Sequence, residues 1–360
     1  MCLPPNRSIG LHDSAKSDFQ GSGRDADPPK LGLVGRTYLG DKTMKITVIL
    51  CTYNRGQSLS KALSSVGESE VDKSVEWEVL VVDNNSKDQT RDIIEQFCGR
   101  FPGRFRYVLE PQQGLCYARN AGIRESRGEI LVFMDDDVTV EPTWLENLTG
   151  TLRSREWAGA GGRILPEWPG SVPQWLPRDG QHALAPLVVF DLGENPGELD
   201  EAPFGANMAF RKEMFEKYGG FRTDLDRVGS NLMSGGDTEF GSRLLAGGER
   251  LRYEPSALVH HPVTKDRMQK RYFLRWHFDN GRGAIRQFGV PPETKYYLSG
   301  IPLYLFRRLA VWTLRWLATV DSNRRFECKL RVWGNGGRIA ECYRRPIAAN
   351  RQGKQCSATT

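Results

Sequence analysis

Three consecutive carboxylates, Asp135, Asp136 and Asp137, are the residues of this sequence best suited to chemistry. They follow residues 129–134, an almost continuously apolar run that is typical of a short buried strand. Adjacent acids repel one another unless a cation or hydrogen-bond donors hold them. Hard divalent ions such as Mg²⁺ and Mn²⁺ prefer oxygen ligands. The triplet therefore indicates either a metal site or a solvated acidic turn, and these residues alone do not decide between the two.

The segments around this strand alternate between strand and helix patterns. Strands are predicted at residues 46–51, 77–82, 105–109 and 129–134, and helices at 57–66, 88–98 and 114–125. Such alternation predicts an α/β fold with a mainly parallel sheet and helices on both faces. Ligands bind outside the carboxyl ends of the strands in such sheets. Because three of the strands end in polar residues, we expect a ligand-binding rim at that edge.

Charge is distributed unevenly over the 360 residues. Residues 262–360 contain 20 Lys and Arg against 6 Asp and Glu, a net charge of +14, whereas residues 1–261 have a net charge of −8. A basic region of this kind is expected to meet an anionic partner such as phospholipid or nucleic acid. The seven cysteines form no CxxC pair, and their odd number is typical of a reducing compartment.

Four regions are predicted. Residues 1–43 are rich in Pro, Gly, Ser and Asp, have no apolar signal-peptide core, and are expected to form a disordered tail. Residues 44–150 form the first α/β half and residues 151–290 a second half, in which 157–205 is expected to be irregular. Residues 291–360 form a basic, helical C-terminal region.

Six motifs, in order, resemble those of family 2 glycosyltransferases, which have the GT-A (Rossmann-like) fold. They are CTYNR (51–55), VVDNNSKDQT (81–90), ARNAGIRESRGEILVFMDDDV (118–138), GANMAFRKE (205–213), GGDTEF (235–240) and VHH (259–261). The resemblance covers roughly residues 44–290. It implies an inverting transferase that uses Mn²⁺ or Mg²⁺ to move a sugar from a nucleotide diphosphate donor to an acceptor hydroxyl.

The resemblance divides the acidic triplet into roles. It implies that Asp137 is a metal ligand and that Asp135 is its partner in a DxD pattern, while Asp136 holds the ribose hydroxyls or a metal-bound water. A late histidine often completes the metal shell in such enzymes. His261 is the better match and His260 its rival, with a purely structural pair of histidines as the alternative.

Donor binding is expected at the ends of the first two strands. Asp83 would accept a hydrogen bond from an N–H of the nucleotide base, although it could instead cap the following helix. Thr52 and Tyr53 lie at the edge that the family uses to hold the nucleoside. Arg55 is either a phosphate donor or a surface charge.

Three further residues are assigned by the same motifs. Arg119 is expected to contact the diphosphate, with an ion pair to Glu125 or Glu129 as the alternative. Asn207 and Met208 belong to the segment that borders the donor sugar and the acceptor in the family.

Asp237 is the candidate general base. An inverting displacement needs a base beside the attacking hydroxyl, and a carboxylate at a helix N-terminus after two glycines is well placed for it. The family pattern is usually Glu-Asp, whereas this chain has Gly236-Asp237 and so lacks the first acid. The alternative is that Asp237 only caps the helix.

Residues 301–320 are predicted to form an amphipathic helix rather than a membrane span, because Arg307, Arg308 and Arg315 interrupt the apolar run. Its apolar face would lie on an anionic membrane or pack on the protein. We expect a cytoplasmic protein, and the membrane alternative for this helix would attach it peripherally to the inner face of the cell membrane. No nucleic acid is expected as a partner, because no recognition fold accompanies the charge.

The expected reaction is transfer of one sugar to a glycan or lipid-linked acceptor in polysaccharide or glycolipid assembly. A hexosyltransferase-type, non-processive enzyme is favoured, because Tyr272 rather than Gln stands three residues before the Arg275-Trp276 pair, and because the multiple membrane spans of processive polymerases are lacking. One rival is a nucleotidyltransferase of related fold, but CTYNRGQS has only one glycine for a phosphate loop. Another rival is a non-catalytic sugar- or lipid-binding protein.

Overall fold

The computed structural model describes residues 44–176, 183–225, 227 and 231–344. The predicted disordered tail over residues 1–43 lies outside the described residues, as do residues 345–360 at the end of the basic region.

Nine strands form one sheet in the described part of the chain, in the order β3-β2-β1-β4-β8-β6-β9-β5, with β7 paired to β9. They are β1 (Met44–Thr52), β2 (Val75–Asp83), β3 (Phe105–Leu109), β4 (Ile130–Asp135), β5 (Thr139–Val140), β6 (Gly159–Glu167), β7 (Gly197–Leu199), β8 (Asn207–Arg211) and β9 (Leu251–Pro262). A separate two-stranded ribbon consists of β10 (Tyr297–Leu298) and β11 (Ile301–Pro302).

The helices follow the predicted alternation through the first half of the chain. They are α1 (Gly56–Gly67), α2 (Thr90–Arg100), α3 (Leu115–Glu125), α4 (Trp144–Gly150), α5 (Lys212–Tyr218), α6 (Gly236–Ala246), α7 (Lys270–Phe288), α8 (Leu303–Ala318) and α9 (Ser322–Arg344), with short 3-10 turns at Thr151–Arg153 and Ala185–Leu187. In α1 the buried residues Leu59, Leu63 and Val66 recur at helical spacing, so one face of the helix packs on the core.

The first half of the sheet is parallel. Strands β3, β2, β1 and β4 all run in the same direction, and the registers place Thr52 opposite Asp83 and Cys51 opposite Asp135. The central strands β1, β2 and β4 contain buried runs rich in Val, Ile and Leu, as strands covered on both faces require. The predicted α/β fold and its polar carboxyl edge are confirmed.

Two direction changes bring a distant strand to this same edge. Strand β8 is antiparallel to β4, β6 is antiparallel to β8, and β9 is parallel to β6. Strand β9 therefore runs in the same direction as β4, and its carboxyl end with His260 and His261 arrives beside the acidic triplet. The sheet also crosses the predicted boundary at residue 150, so the two predicted halves share one sheet.

Strand β6 lies in the segment that was expected to be irregular, and that expectation is wrong for its first part. The strand was not predicted from the sequence because it is rich in glycine, which has weak strand propensity. The glycines are needed for packing: a Cβ atom at Gly159 would collide with the ring of Phe210, and one at Gly162 would collide with the amide of Asn207.

The C-terminal helices pack on one another. The predicted amphipathic helix is α8, whose Leu305 is buried and whose Trp312 and Trp316 are half-buried; the Trp316 ring lies 6.2 Å from that of Trp333 in α9. Part of the predicted apolar face is therefore covered by protein. An apolar stripe containing Leu314 and Leu317 stays exposed. None of the helices in the described part of the chain has the combined length and hydropathy of a membrane span.

Candidate active site

Two carboxylates and an imidazole meet at the carboxyl edge of the sheet. Asp135 ends β4, Asp137 follows in the turn, and His261 is near the end of β9. One ligand atom from each of the three residues lies within 4.8 Å of those of the other two. The Nε2 atom of His261 is 3.7 Å from a carboxylate oxygen of Asp137. This spacing and this donor set suit an oxygen-preferring divalent ion.

Protonation also favours a cation at this point. Burial lowers the pKa of His261, although the Asp137 carboxylate acts in the opposite direction, so the imidazole is neutral and able to ligate. Its buried Nδ1 atom has no hydrogen-bond partner among the described residues. Burial and then the charge of Asp137 raise the pKa of Asp136 to about 7. Carboxylates crowded in this way are relieved by a bound cation.

The alternation of strand β9 separates the two histidines. His261 is almost completely buried and faces the acidic triplet. His260 points to the opposite face, where its Nε2 atom lies 2.8 Å from a carboxylate oxygen of Glu141. Since successive side chains of a strand point to opposite faces, only one of the pair can join the cluster, and that residue is His261.

A cavity of about 860 Å³ opens over this cluster, within the usual size range for small-molecule sites. Two arginines border the cluster: Arg55 and Arg267 place guanidinium nitrogens 3.5 and 3.6 Å from an oxygen of Asp137. Arg267 also lies 3.3 Å from Nε2 of His261. Carboxylates and guanidinium groups thus share one wall of the cavity, a combination that suits an anionic ligand bound together with a cation.

Asp237 lines the same cavity from the first turn of α6. The N-cap of α6 is Gly235, which has φ of +139°. Asp237 is therefore not the N-cap of this helix. One carboxylate oxygen accepts the N–H of Gly205 at 2.8 Å and the other accepts the N–H of Thr238 at 2.8 Å. These two bonds hold the carboxylate in one orientation.

Sequence comparisons agree with this geometry. Residues 47–219 match the family described as Glycosyl transferase family 2. The succinoglycan biosynthesis protein ExoM of Rhizobium meliloti is 27% identical over 243 residues, 67% of this chain and 74% of that protein. The glucosyl-dolichyl phosphate glucuronosyltransferase of Haloferax volcanii is 28% identical over 230 residues, 63% of this chain and 72% of that protein. Residues 47–219 form a glycosyltransferase family 2 domain.

The fold of this chain is also that of a solved glycosyltransferase structure. The mannosyltransferase PcManGT of Pyrobaculum calidifontis, in complex with GDP-mannose and Mn²⁺, superposes with a TM-score of 0.56 at 19% identity, over 83% of this chain and 87% of that one. The predicted GT-A fold is confirmed.

The glycosyltransferase brings most of the predicted donor residues to the cavity. Thr52, Tyr53 and Arg55 line it at the end of β1. Asp83 does not: it is buried behind the rim, where it accepts the N–H of Ser86 at 2.9 Å and the hydroxyl of Tyr107 at 3.1 Å. Base recognition by Asp83 stays a prediction.

Arg119 lines the cavity from α3 and is nearly completely buried. Its guanidinium stacks on the ring of Phe221, 5.4 Å from the centroid, and lies against Gly205. A Cβ atom at Gly205 would meet this guanidinium and would lie 3.0 Å from the Asp237 carboxylate. Glycine at this position therefore lets Arg119 and Asp237 approach the same point of the cavity wall.

Asn207 and Met208, which were assigned to the segment bordering donor sugar and acceptor, do not themselves line the cavity. Both are completely buried at the start of β8. Asn207 accepts the indole N–H of Trp144 at 2.8 Å and donates to the carbonyls of Arg163 and Ala257 at 3.0 and 2.8 Å. Its polar atoms are thus used to join strands, and the preceding Gly205 and Ala206 line the cavity instead.

Sequence reasoning missed several residues of this wall. Arg267 lies six residues after His261. The only sequence signal for it was its positive charge within a basic segment. Trp276 in α7 and Arg338 in α9 also line the cavity. Their positions depend on helix packing beyond residue 219, where the family match ends.

Proposed function

We propose that this glycosyltransferase moves a sugar from a nucleoside diphosphate to an acceptor hydroxyl, with inversion at the anomeric carbon and with the help of Mn²⁺ or Mg²⁺. The observation that carries the proposal is that the carboxylate–imidazole cluster and the Asp237 carboxylate line one cavity. A metal-binding group and a base are the two parts that such a displacement requires.

Asp137, Asp135 and His261 are the proposed metal ligands, and the neutral imidazole supports that assignment. The bound ion would stabilise the negative charge that develops on the departing diphosphate. Asp136 is proposed to hold the ribose hydroxyls or a water of the metal shell. The relative PcManGT, solved with Mn²⁺, supports the choice of ion.

Asp237 is the proposed base. It takes the proton of the acceptor hydroxyl while that oxygen forms a bond to the anomeric carbon of the donor. The bond between this carbon and the diphosphate oxygen breaks, and the nucleoside diphosphate leaves with the electron pair. The hydrogen bonds from Gly205 and Thr238 would hold the carboxylate towards the acceptor throughout.

Donor binding is proposed to use Thr52 and Tyr53 for the nucleoside and Arg55 and Arg119 for the diphosphate, since all four line the cavity. Arg267 would join the diphosphate contacts, because it lines the same cavity and lies 3.6 Å from Asp137. Guanidinium groups suit this task because they bind phosphate oxygens bidentately.

The acceptor is proposed to be a glycan or a lipid-linked sugar in polysaccharide or glycolipid assembly, with a hexose transferred once rather than processively. The names of two relatives, which mention succinoglycan biosynthesis and a glucosyl-dolichyl phosphate, support this class. The exposed apolar stripe of α8 and its arginines support peripheral attachment to the inner face of an anionic membrane.

A thermal-shift screen of nucleotide sugars, with Mn²⁺ or with EDTA, tests the proposal. One donor should raise the melting temperature only with metal, and the same donor should release its nucleoside diphosphate on turnover, with an inverted anomeric configuration in the product by NMR. Release of pyrophosphate from a nucleoside triphosphate would instead indicate a nucleotidyltransferase. Metal-dependent binding with no turnover towards any glycan or lipid-linked acceptor would indicate a binding protein.

A further inference from the structure

The cavity extends away from the acidic cluster to a wall made by two C-terminal helices. Trp276, Asn280, Ala284 and Gln287 line it from successive turns of α7, and Arg338 lines it from α9. Spacings of three and four residues place the α7 residues on one face of the helix. This wall is separate from the strand edge where the donor is proposed to bind.

The position of Arg338 is set by a close crossing of α7 and α9. A Cβ atom at Gly281 would collide with the carbonyl oxygen of Gly334, and one at Gly337 would collide with that of Phe278. The two backbones therefore touch at these glycines. Since Gly337 immediately precedes Arg338, the guanidinium is carried by a backbone segment that has little freedom to move.

The arginines at this crossing differ in their partners. Arg282 and Arg286 of α7 both pair with the buried carboxylate of Glu341, at 3.0 and 2.6 Å. Arg338, although partly buried, has no carboxylate partner within the described ranges of the chain.

The surroundings of Arg338 are positive. Burial lowers its pKa, and the neighbouring charges of Arg308 and Arg331 lower it further. His277 is kept neutral, because burial and then the two arginines of α9 lower its pKa to about 4. A partly buried cation beside other cations is costly unless an anion joins it.

We propose that Arg338, assisted by Arg308, binds a phosphate ester carried by the acceptor, so that the acceptor of the proposed transfer is a phosphate-bearing molecule. This inference rests on the proposed function for its assignment to the acceptor. Trp276 lines the same cavity as Arg338, and an aromatic side chain there would pack against the sugar next to that phosphate. Arg308 is an exposed residue of α8.

Titration calorimetry of the full-length protein with hexyl phosphate in EDTA tests the site without metal and without transfer. Arg338→Gln should weaken binding about tenfold or more, since hydrogen bonds to charged groups contribute strongly to affinity. Arg308→Gln, on an exposed position that folding does not need, should weaken it to a smaller extent. Arg324→Gln is the matched control: it makes the same change at the exposed start of α9 and should leave binding unchanged. Hexanol should bind the wild type and Arg338→Gln equally.

Unchanged hexyl phosphate affinity in both Arg338→Gln and Arg308→Gln would overturn the proposal. Flotation with phosphatidylglycerol vesicles separates the two sources of phosphate. If Arg338→Gln lost vesicle binding but kept hexyl phosphate binding, the ligand would be a membrane headgroup and the acceptor site would be refuted. Because metal-dependent donor turnover is not involved in these measurements, failure of the anion site and failure of the proposed transfer are distinguishable.

Discussion

The Nε2 atom of His261 lies 3.7 Å from a carboxylate oxygen of Asp137, and the two residues come from the ends of different strands of the sheet. Strand β9 runs in the direction of β4 because two antiparallel pairings intervene between them. The cluster therefore combines Asp135 and Asp137 from the first half of the sheet with His261 from the last strand of the second half.

His261→Ala should abolish tight Mn²⁺ binding. Loss of an outer-shell partner already costs about 10–100-fold in metal affinity, so loss of a direct ligand should cost about 100-fold or more. His260→Ala is the matched control, because the neighbouring imidazole faces Glu141 and should leave Mn²⁺ affinity within about threefold. Calorimetric titration of Mn²⁺ measures both variants. Equal losses in the two would mean that the buried histidine is not a ligand.

Asp237→Asn should lower turnover by about 10²–10⁴-fold, the usual contribution of general acid–base catalysis. Donor affinity should stay unchanged, because the amide oxygen can still accept the N–H of Gly205. Single-turnover kinetics and donor titration separate the two effects. Glu239→Gln, in the same helical turn but paired with Arg243 at 2.6 Å, should retain turnover. Near wild-type transfer by Asp237→Asn would remove the base assignment.

Asn207→Ala should destabilise the fold by about 2–4 kcal/mol without changing donor affinity in the folded protein, because it leaves the indole N–H of Trp144 and two carbonyls unpaired in the core. Urea unfolding measures the change. Asn147→Ala is the control: it removes an amide whose hydrogen bonds are solvent-exposed, and it should lower the free energy of unfolding by less than about 1 kcal/mol. A reduced donor affinity with unchanged stability would return Asn207 to the binding site.

Leu314→Ser combined with Leu317→Ser should weaken flotation with phosphatidylglycerol vesicles at least about tenfold, because each leucine loses apolar burial in the membrane interface. Raised salt should also weaken it, since screening reduces the attraction of the arginines to headgroups. Leu109→Ser is the control, as this exposed leucine lies on β3. No flotation of the wild-type protein at low salt would reject membrane attachment.

The resemblance of the motifs to a known family singled out Asp137, His261 and Asp237 as candidates, whereas the sequence by itself determined the α/β alternation and the strand ends that form the rim. These are local signals, because apolar runs specify strands and polar residues at their ends must face the sheet edge. The glycine-rich strand β6 escaped this reasoning, since its glycines serve the packing of Phe210 and Asn207 rather than any local preference.

Only the tertiary structure decided which neighbouring residues reach the site. His260 and His261 are the same residue type at adjacent positions. The alternation of side chains along a paired strand places them on opposite faces of the sheet. The same is true of Asn207 and Arg119: the motifs assign both to the site, but strand packing buries the amide in the core while helix α3 brings the guanidinium to the cavity. Arg338 reaches the cavity through a glycine-mediated helix crossing. Whether a side chain reaches the cavity depends on contacts between residues far apart in the chain, and local sequence patterns do not predict such contacts.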